Sequence, residues 1–188
     1  MSNRSELTAV LDAISEALRE AGIVYFVTGS FASSVHGEFR ATNDVDIVAD
    51  LNPNVLSPLL ERLSSAFVVD IEQAVAALDH GTAFNLIHRE TYLKVDFFPC
   101  ATDFDREAAR RAERLQLPGA RETLRIATKE DILLAKLRWY RLGDEVSSTQ
   151  RRDIDRLIAL NRDDFDMNYL RSWADRLVVA DLLNQFFT

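Results

Sequence analysis

One cysteine, four prolines, six glycines and three histidines are all that 188 residues hold of those types. Each scarcity excludes something. A single cysteine, Cys100, cannot form an internal disulfide and suits a reducing cytoplasm. Placed after Phe97-Phe98-Pro99, it reads as a strand-end packing residue rather than a thiol nucleophile. No apolar run approaches the roughly 20 residues of a membrane span. The N-terminus leads into an amphipathic segment rather than a signal peptide. His36, His80 and His88 show no metal-ligand spacing with Cys100 or with one another, and read as turn, cap or strand residues. Basic side chains are also in short supply, 22 against 30 acidic, and a net charge of −8 argues against a broad nucleic-acid footprint. Charge can still segregate: Arg106, Arg110, Arg111, Arg114, Arg121 and Arg125 cluster within one stretch. That stretch reads first as solvated helix faces with acidic neighbours, and second as a rim for phosphates.

What is present is an ordinary soluble composition, 47% hydrophobic and 28% charged, long enough to bury a real core. Leu7, Val10, Leu11, Ile14 and Leu18 repeat at helical spacing and stop at Ala21-Gly22. Residues 23–27 read as a buried strand, Gly29-Ser30 as the start of a second helix, and residues 45–49 as a second strand. Asn52-Pro53 opens a helix carrying Leu56, Leu59, Leu60 and Leu63. A short strand at 67–69 and a helix over 71–78 follow. Strands over 83–88 and 92–98 flank a tight Arg89-Glu90-Thr91 turn. A helix over 104–114 precedes short extended pieces at 115–118 and 123–126. From Thr128, where Thr128-x-x-Asp131 forms a cap, the pattern is helical: 132–142, 151–160 and 170–187, with a polar, mobile loop over 143–149. The expectation is a mixed α/β (α+β) core over residues 1–127 with a helical C-terminal portion, 128–188, packed on it as one compact unit.

Asp44 and Asp46 are the most informative residues. They stand at i and i+2 in the apolar run Asp44-Val45-Asp46-Ile47-Val48, so on a strand both point to one face. Two carboxylates held together repel, and their desolvation costs more still unless a cation joins them. Asp96, inside Val95-Asp96-Phe97-Phe98, is a third acid in an apolar strand, with Lys94 and Phe98 on its own face. Upstream, Gly29-Ser30 follows an apolar strand and offers backbone N–H groups at a helix start, a setting for phosphate. Three carboxylates on neighbouring strands make a two-metal site able to align a hydroxyl with a phosphorus atom.

This pattern resembles the nucleotidyltransferase superfamily with the DNA polymerase beta-type fold. The run from Val27-Thr28-Gly29-Ser30 through His36-Gly37 to Arg40-Ala41-Thr42-Asn43-Asp44-Val45-Asp46 is similar to its AbiEii-toxin-like branch. The resemblance implies a mixed sheet flanked by helices and an enzyme moving an NMP from an NTP to an acceptor, with release of pyrophosphate. Asp44, Asp46 and Asp96 are then both catalytic residues and ligands of two Mg²⁺ ions. Gly29, Ser30, Arg40 and Lys136 are then nucleotide-binding, with Lys136 in the branch's Asp131-to-Lys136 element and Asp153 and Asp155 in its later helix. The branch contains toxins of toxin–antitoxin and phage-defence systems, so RNA, tRNA in particular, is the favoured acceptor and a cognate antitoxin an implied partner. A small acceptor of the aminoglycoside type stays open beside it, since cationic antibiotics bind acidic clefts. So does a non-catalytic protein that uses the fold to bind a nucleotide or a regulatory partner.

Overall fold

The computed structural model describes residues 6–37 and 44–188. In chain order the elements are α1 (Glu6–Glu20), β1 (Tyr25–Thr28), α2 (Gly29–Val35), β2 (Asp44–Ala49), α3 (Pro53–Leu63) and β3 (Phe67–Val68). Then come α4 (Ile71–Asp79), β4 (Phe84–His88), β5 (Lys94–Pro99), α5 (Asp103–Arg111), β6 (Glu113–Leu115) and β7 (Leu124–Ile126). The chain ends in α6 (Lys129–Leu142), α7 (Ser148–Asn161), α8 (Met167–Arg176) and α9 (Ala180–Phe187). It divides into two units, Met1–Ser30 with Thr42–Ala127, and Phe31–Ala41 with Thr128–Thr188. None of the helices among the described residues is long and apolar enough to cross a membrane.

The first unit is built on a seven-stranded mixed sheet, ordered β3-β4-β5-β2-β1-β7-β6. At its centre β2 runs parallel to β5 and antiparallel to β1, and β4 runs antiparallel to β5. The period of two is plain here. Val45, Ile47, Val95, Phe97, Phe84 and Leu86 are buried, and Phe84 and Phe97 stack with ring centroids 5.3 Å apart. Fully burying a side chain such as Phe97 is worth about 2–3 kcal/mol. The alternate residues, Asp44, Asp46, Lys94, Asp96 and Asn85, are half-buried or exposed. That alternation fixes the register, because a slip of one residue would send every one of these polar groups into the core.

Local chemistry sets the flanking helices. Asn52 caps α3 by accepting from the Asn54 N–H at 3.0 Å, ahead of Pro53, and Asp70 caps α4 by accepting from Gln73 N–H at 2.9 Å. A reciprocal capping box between Thr102 and Asp105 starts α5. Buried Asp12 of α1 accepts from the backbone N–H groups of Arg121 and Glu122 at 2.9–3.1 Å, pinning the segment before β7.

The second unit packs α6, α7, α8 and α9 with residues 31–37. Leu133, Leu134, Leu137, Ile154, Leu157, Leu170 and Leu183 form its interior. Asn161 Nδ2 donates to the His36 carbonyl at 2.8 Å, fastening the 31–37 segment to α7.

Several boundaries differ from the sequence expectations, and four of the differences have a clear physical reason. The helix over 104–114 stops at Arg111, because Glu113–Leu115 pairs antiparallel with Leu124–Ile126. Ser147 accepts from Gln150 N–H at 3.3 Å and so starts α7 at Ser148, inside the stretch read as loop. His88 N–H donates to the Leu93 carbonyl at 2.9 Å, just ahead of β5, so the hairpin loop is four residues, 89–92, not three, with Tyr92 at φ 58°. The last helix is two helices. The stripe Leu170, Trp173, Ala174 would continue through Asp181 on a straight helix, whereas Leu182 and Leu183 are the buried residues. The chain turns between them, at Val178 with φ 59°.

Candidate functional site

Strand register gathers the acids in rows across the exposed side of the sheet. Asp46 lies opposite Asp96 on β5 and opposite Thr28 on β1, while Asp96 lies opposite Asn85 on β4. One row therefore reads Asn85, Asp96, Asp46, Thr28 across four strands. The next row back contains Ile87, Lys94 and Asp44. Neighbouring strands lie about 4.8 Å apart, so the like charges of Asp46 and Asp96 are set directly beside each other.

Gly29 follows Thr28 at the end of that row, with φ +67°. A Cβ built on it would stand 1.7 Å from Asp46 Oδ2 and 2.6 Å from Asp46 Cγ. Glycine is therefore required twice, for the left-handed backbone and for the approach of chain to carboxylate. The next residue, Ser30, sits in the first turn of α2, where backbone N–H groups have no partner within the helix. With seven residues, α2 is short, and what it brings is individual donors more than a developed dipole.

Lys94 completes the face. Its Nζ donates to Asp96 Oδ2 at 2.8 Å, with the lysine side chain 45% exposed and the aspartate 17%. The hydrogen bond it donates to Asp96 holds the Lys94 ammonium above its ordinary range; burial opposes this, and the nearby charges of Asp96, Asp44 and Asp46 add to it. At that exposure the pair itself contributes no more than about 1 kcal/mol. Its larger effect is to offset repulsion within the row.

The donor chemistry suits a hard divalent cation: carboxylate oxygens share one face, and the Gly29 backbone packs directly against one of them, that of Asp46. Among the described residues, no three His, Cys, Asp or Glu side chains converge closely enough to hold a metal. Asp96 Oδ2 is directed at Lys94 instead.

The other expected residues divide. Arg40 lies outside the described residues, as do Thr42 and Asn43 of the motif. Lys136 belongs to the helical unit, where its Nζ lies 3.1 Å from Asp153 Oδ2, with side chains only 11% and 16% exposed. These two residues, weighed separately on the sequence, form one ion pair joining α6 to α7. Asp131 is buried beneath Thr128 and Tyr169, whose hydroxyls donate to it at 2.8 and 2.5 Å. In the arginine-rich stretch, Arg106 pairs with Asp103, Arg110 with Glu107, and Arg121 with Asp12 and Glu16, while Arg125 donates to the Ala109 carbonyl. Burial, with Asp105 and Asp50 nearby, pushes the Cys100 thiol up to about 11, which keeps it protonated and a poor nucleophile at neutral pH. His80 ends α4 with Nδ1 2.7 Å from the Ala76 carbonyl, and His88 ends β4 edge-on to Phe67.

Thr28 and Asn85 are the members of the row that sequence reasoning did not pick out. The signal for Asn85 was the hairpin: a four-residue loop places it opposite Asp96, and a three-residue loop would place it opposite Val95.

The backbone is similar to solved nucleotidyltransferase structures. One is the crystal structure of an antigenic nucleotidyltransferase-like protein from Paracoccidioides brasiliensis, at 20% identity and TM-score 0.55, covering 100% of this chain and 94% of that one. Another is the solution structure of the antibiotic-resistance factor ANT(2'')-Ia, at 17% identity and TM-score 0.59, covering 97% of each. A crystal structure of ANT(2'')-Ia in complex with adenylyl-2''-tobramycin matches at 12% identity and TM-score 0.53, over 98% of this chain and 100% of that one. These likenesses establish a nucleotidyltransferase-like fold. No protein-family model matches the sequence, and no curated protein matches it.

Proposed function

We propose that this protein is an NTP-dependent nucleotidyltransferase working through Asp44, Asp46 and Asp96. It joins an NMP to an acceptor hydroxyl and releases pyrophosphate. The observation that carries this reading is the Asp46–Asp96 juxtaposition in parallel register beside a glycine with no room for a side chain. Clustered negative charge on an open strand face serves no packing purpose, and the fold it sits on is shared with a nucleotidyltransferase-like protein and with ANT(2'')-Ia, solved in complex with adenylyl-2''-tobramycin.

Asp44 and Asp46 are the residues that would hold Mg²⁺, with Asp96 contributing from the acceptor side. Bound there, Mg²⁺ supplies Lewis-acid neutralisation of phosphate charge. Asp96 takes the proton from the acceptor hydroxyl as its oxygen attacks the α-phosphorus, and the bond to the pyrophosphate oxygen breaks. Gly29 lets the backbone come close, and Ser30 offers its N–H and hydroxyl to the phosphates.

A small, hydroxyl-bearing, preferably cationic acceptor is favoured over RNA. Three of the six arginines that would greet an RNA backbone, Arg106, Arg110 and Arg121, pair with acidic side chains, and the chain carries a net charge of −8. The adenylyl-tobramycin complex of a neighbour on this fold is in keeping with such an acceptor. The toxin reading is carried by the Gly29-to-Asp46 motif alone. Co-expression tests it: growth arrest that disappears with Asp46→Asn would support a toxin.

The acceptor is tested by incubating the protein with Mg²⁺ and each α-labelled NTP, offering aminoglycosides and total RNA separately. Label on the small molecule supports the reading, and label on RNA alone redirects the acceptor. If no NTP with Mg²⁺ raises the melting temperature of the wild type above that of Asp46→Asn, and no label moves, nucleotidyl transfer is wrong.

A further inference from the structure

Lys94 stands where a cation is needed. It is on the acidic face, two residues back from the Asp46–Asp96 row and directly opposite Asp44. Its ammonium is bound to Asp96 Oδ2 at 2.8 Å and is influenced by all three carboxylates. Packing covers only part of it: the side chain is 45% exposed, on a flexible four-carbon stem. A residue serving the fold would be fixed by packing, and Lys94 is fixed by charge.

We propose that Lys94 is a built-in, displaceable counter-ion that occupies the cation position of the acidic face until a divalent metal is bound. This rests on the carboxylate site proposed above and adds a residue that governs its metal affinity. Lys94 neutralises the Asp46–Asp96 repulsion in the metal-free protein, so the row does not depend on metal to stay folded. The same contact opposes metal binding, because Asp96 Oδ2 must be released by Lys94 before it can coordinate. Lys94 is therefore a positioning residue, acting through Asp96.

The probe is Mn²⁺ alone, titrated into the protein and followed by electron paramagnetic resonance, with no nucleotide and no turnover. Lys94→Met removes the competing charge at nearly constant length and is expected to lower the Mn²⁺ dissociation constant about tenfold. Lys94→Arg keeps the charge and is expected to leave it close to the wild-type value. Asp46→Asn is expected to abolish site binding in either background. If Mn²⁺ binding requires Asp46 but is unchanged or weakened in Lys94→Met, the counter-ion role is wrong and the carboxylate site stands. If Mn²⁺ binding is indifferent to Asp46 as well, both fall.

Discussion

The protein contains two lysine–aspartate pairs of similar length and opposite character. Lys136 and Asp153 are 3.1 Å apart, nearly enclosed between two helices of the helical unit. Lys94 and Asp96 are 2.8 Å apart on the open face of the sheet, with the lysine side chain 45% exposed and two further carboxylates in range. Coulomb attraction is common to both, and what separates them is the cost of letting go. An enclosed charge that loses its partner is left without water, whereas an exposed one is taken up by solvent. The first pair is suited to holding structure and the second to exchanging partners. Sequence spacing alone shows neither property, since both are a lysine and an acid at plausible positions.

The largest effect should appear when the comparison is broken at its aspartates. Asp96→Asn is expected to reduce nucleotidyl transfer by at least about a thousandfold while changing stability by less than about 1 kcal/mol in urea unfolding. Asp153→Asn is expected to cost about 3 kcal/mol in the same unfolding experiment, because it strands Lys136. Equal stability losses from the two would erase the distinction between the pairs. Gly29→Ala sharpens it from the sheet side. A methyl at φ +67°, aimed at Asp46, is expected to cost about 2 kcal/mol and to lower activity further than that loss of stability explains. Activity at the wild-type level would mean that the Gly29–Asp46 approach is not part of the site. The smallest effect is expected for Lys94→Met on stability, within about 1 kcal/mol, read from the urea midpoint.

Much of the sheet was legible in the sequence because its period of two is clean: Val45, Ile47, Val95 and Phe97 inward, Asp44, Asp46 and Asp96 outward. The shared face of the acids followed from that period. Their neighbours across the sheet did not, because register depends on loop length. A single residue in the Arg89–Tyr92 loop decides whether Asn85 or its neighbours meet Asp96. The helical part was legible as helix and less so as packing. The break at Val178 was hidden because no glycine or proline marks it, and only the shift of the buried stripe to Leu182 and Leu183 demands a turn. The engagement of Lys136 by Asp153 was equally hidden, since seventeen positions separate them and they meet only through tertiary packing.

Under the proposed function, the carboxylate row on the open sheet face, not the enclosed Lys136–Asp153 pair, does the chemistry. The most direct test is label transfer from an α-labelled NTP in the presence of Mg²⁺, comparing wild type, Asp46→Asn, Asp96→Asn and Asp153→Asn at a temperature where all four remain folded. Loss of transfer in the two row variants with near-normal transfer in Asp153→Asn is the predicted result. Undiminished transfer in Asp46→Asn or Asp96→Asn would contradict it.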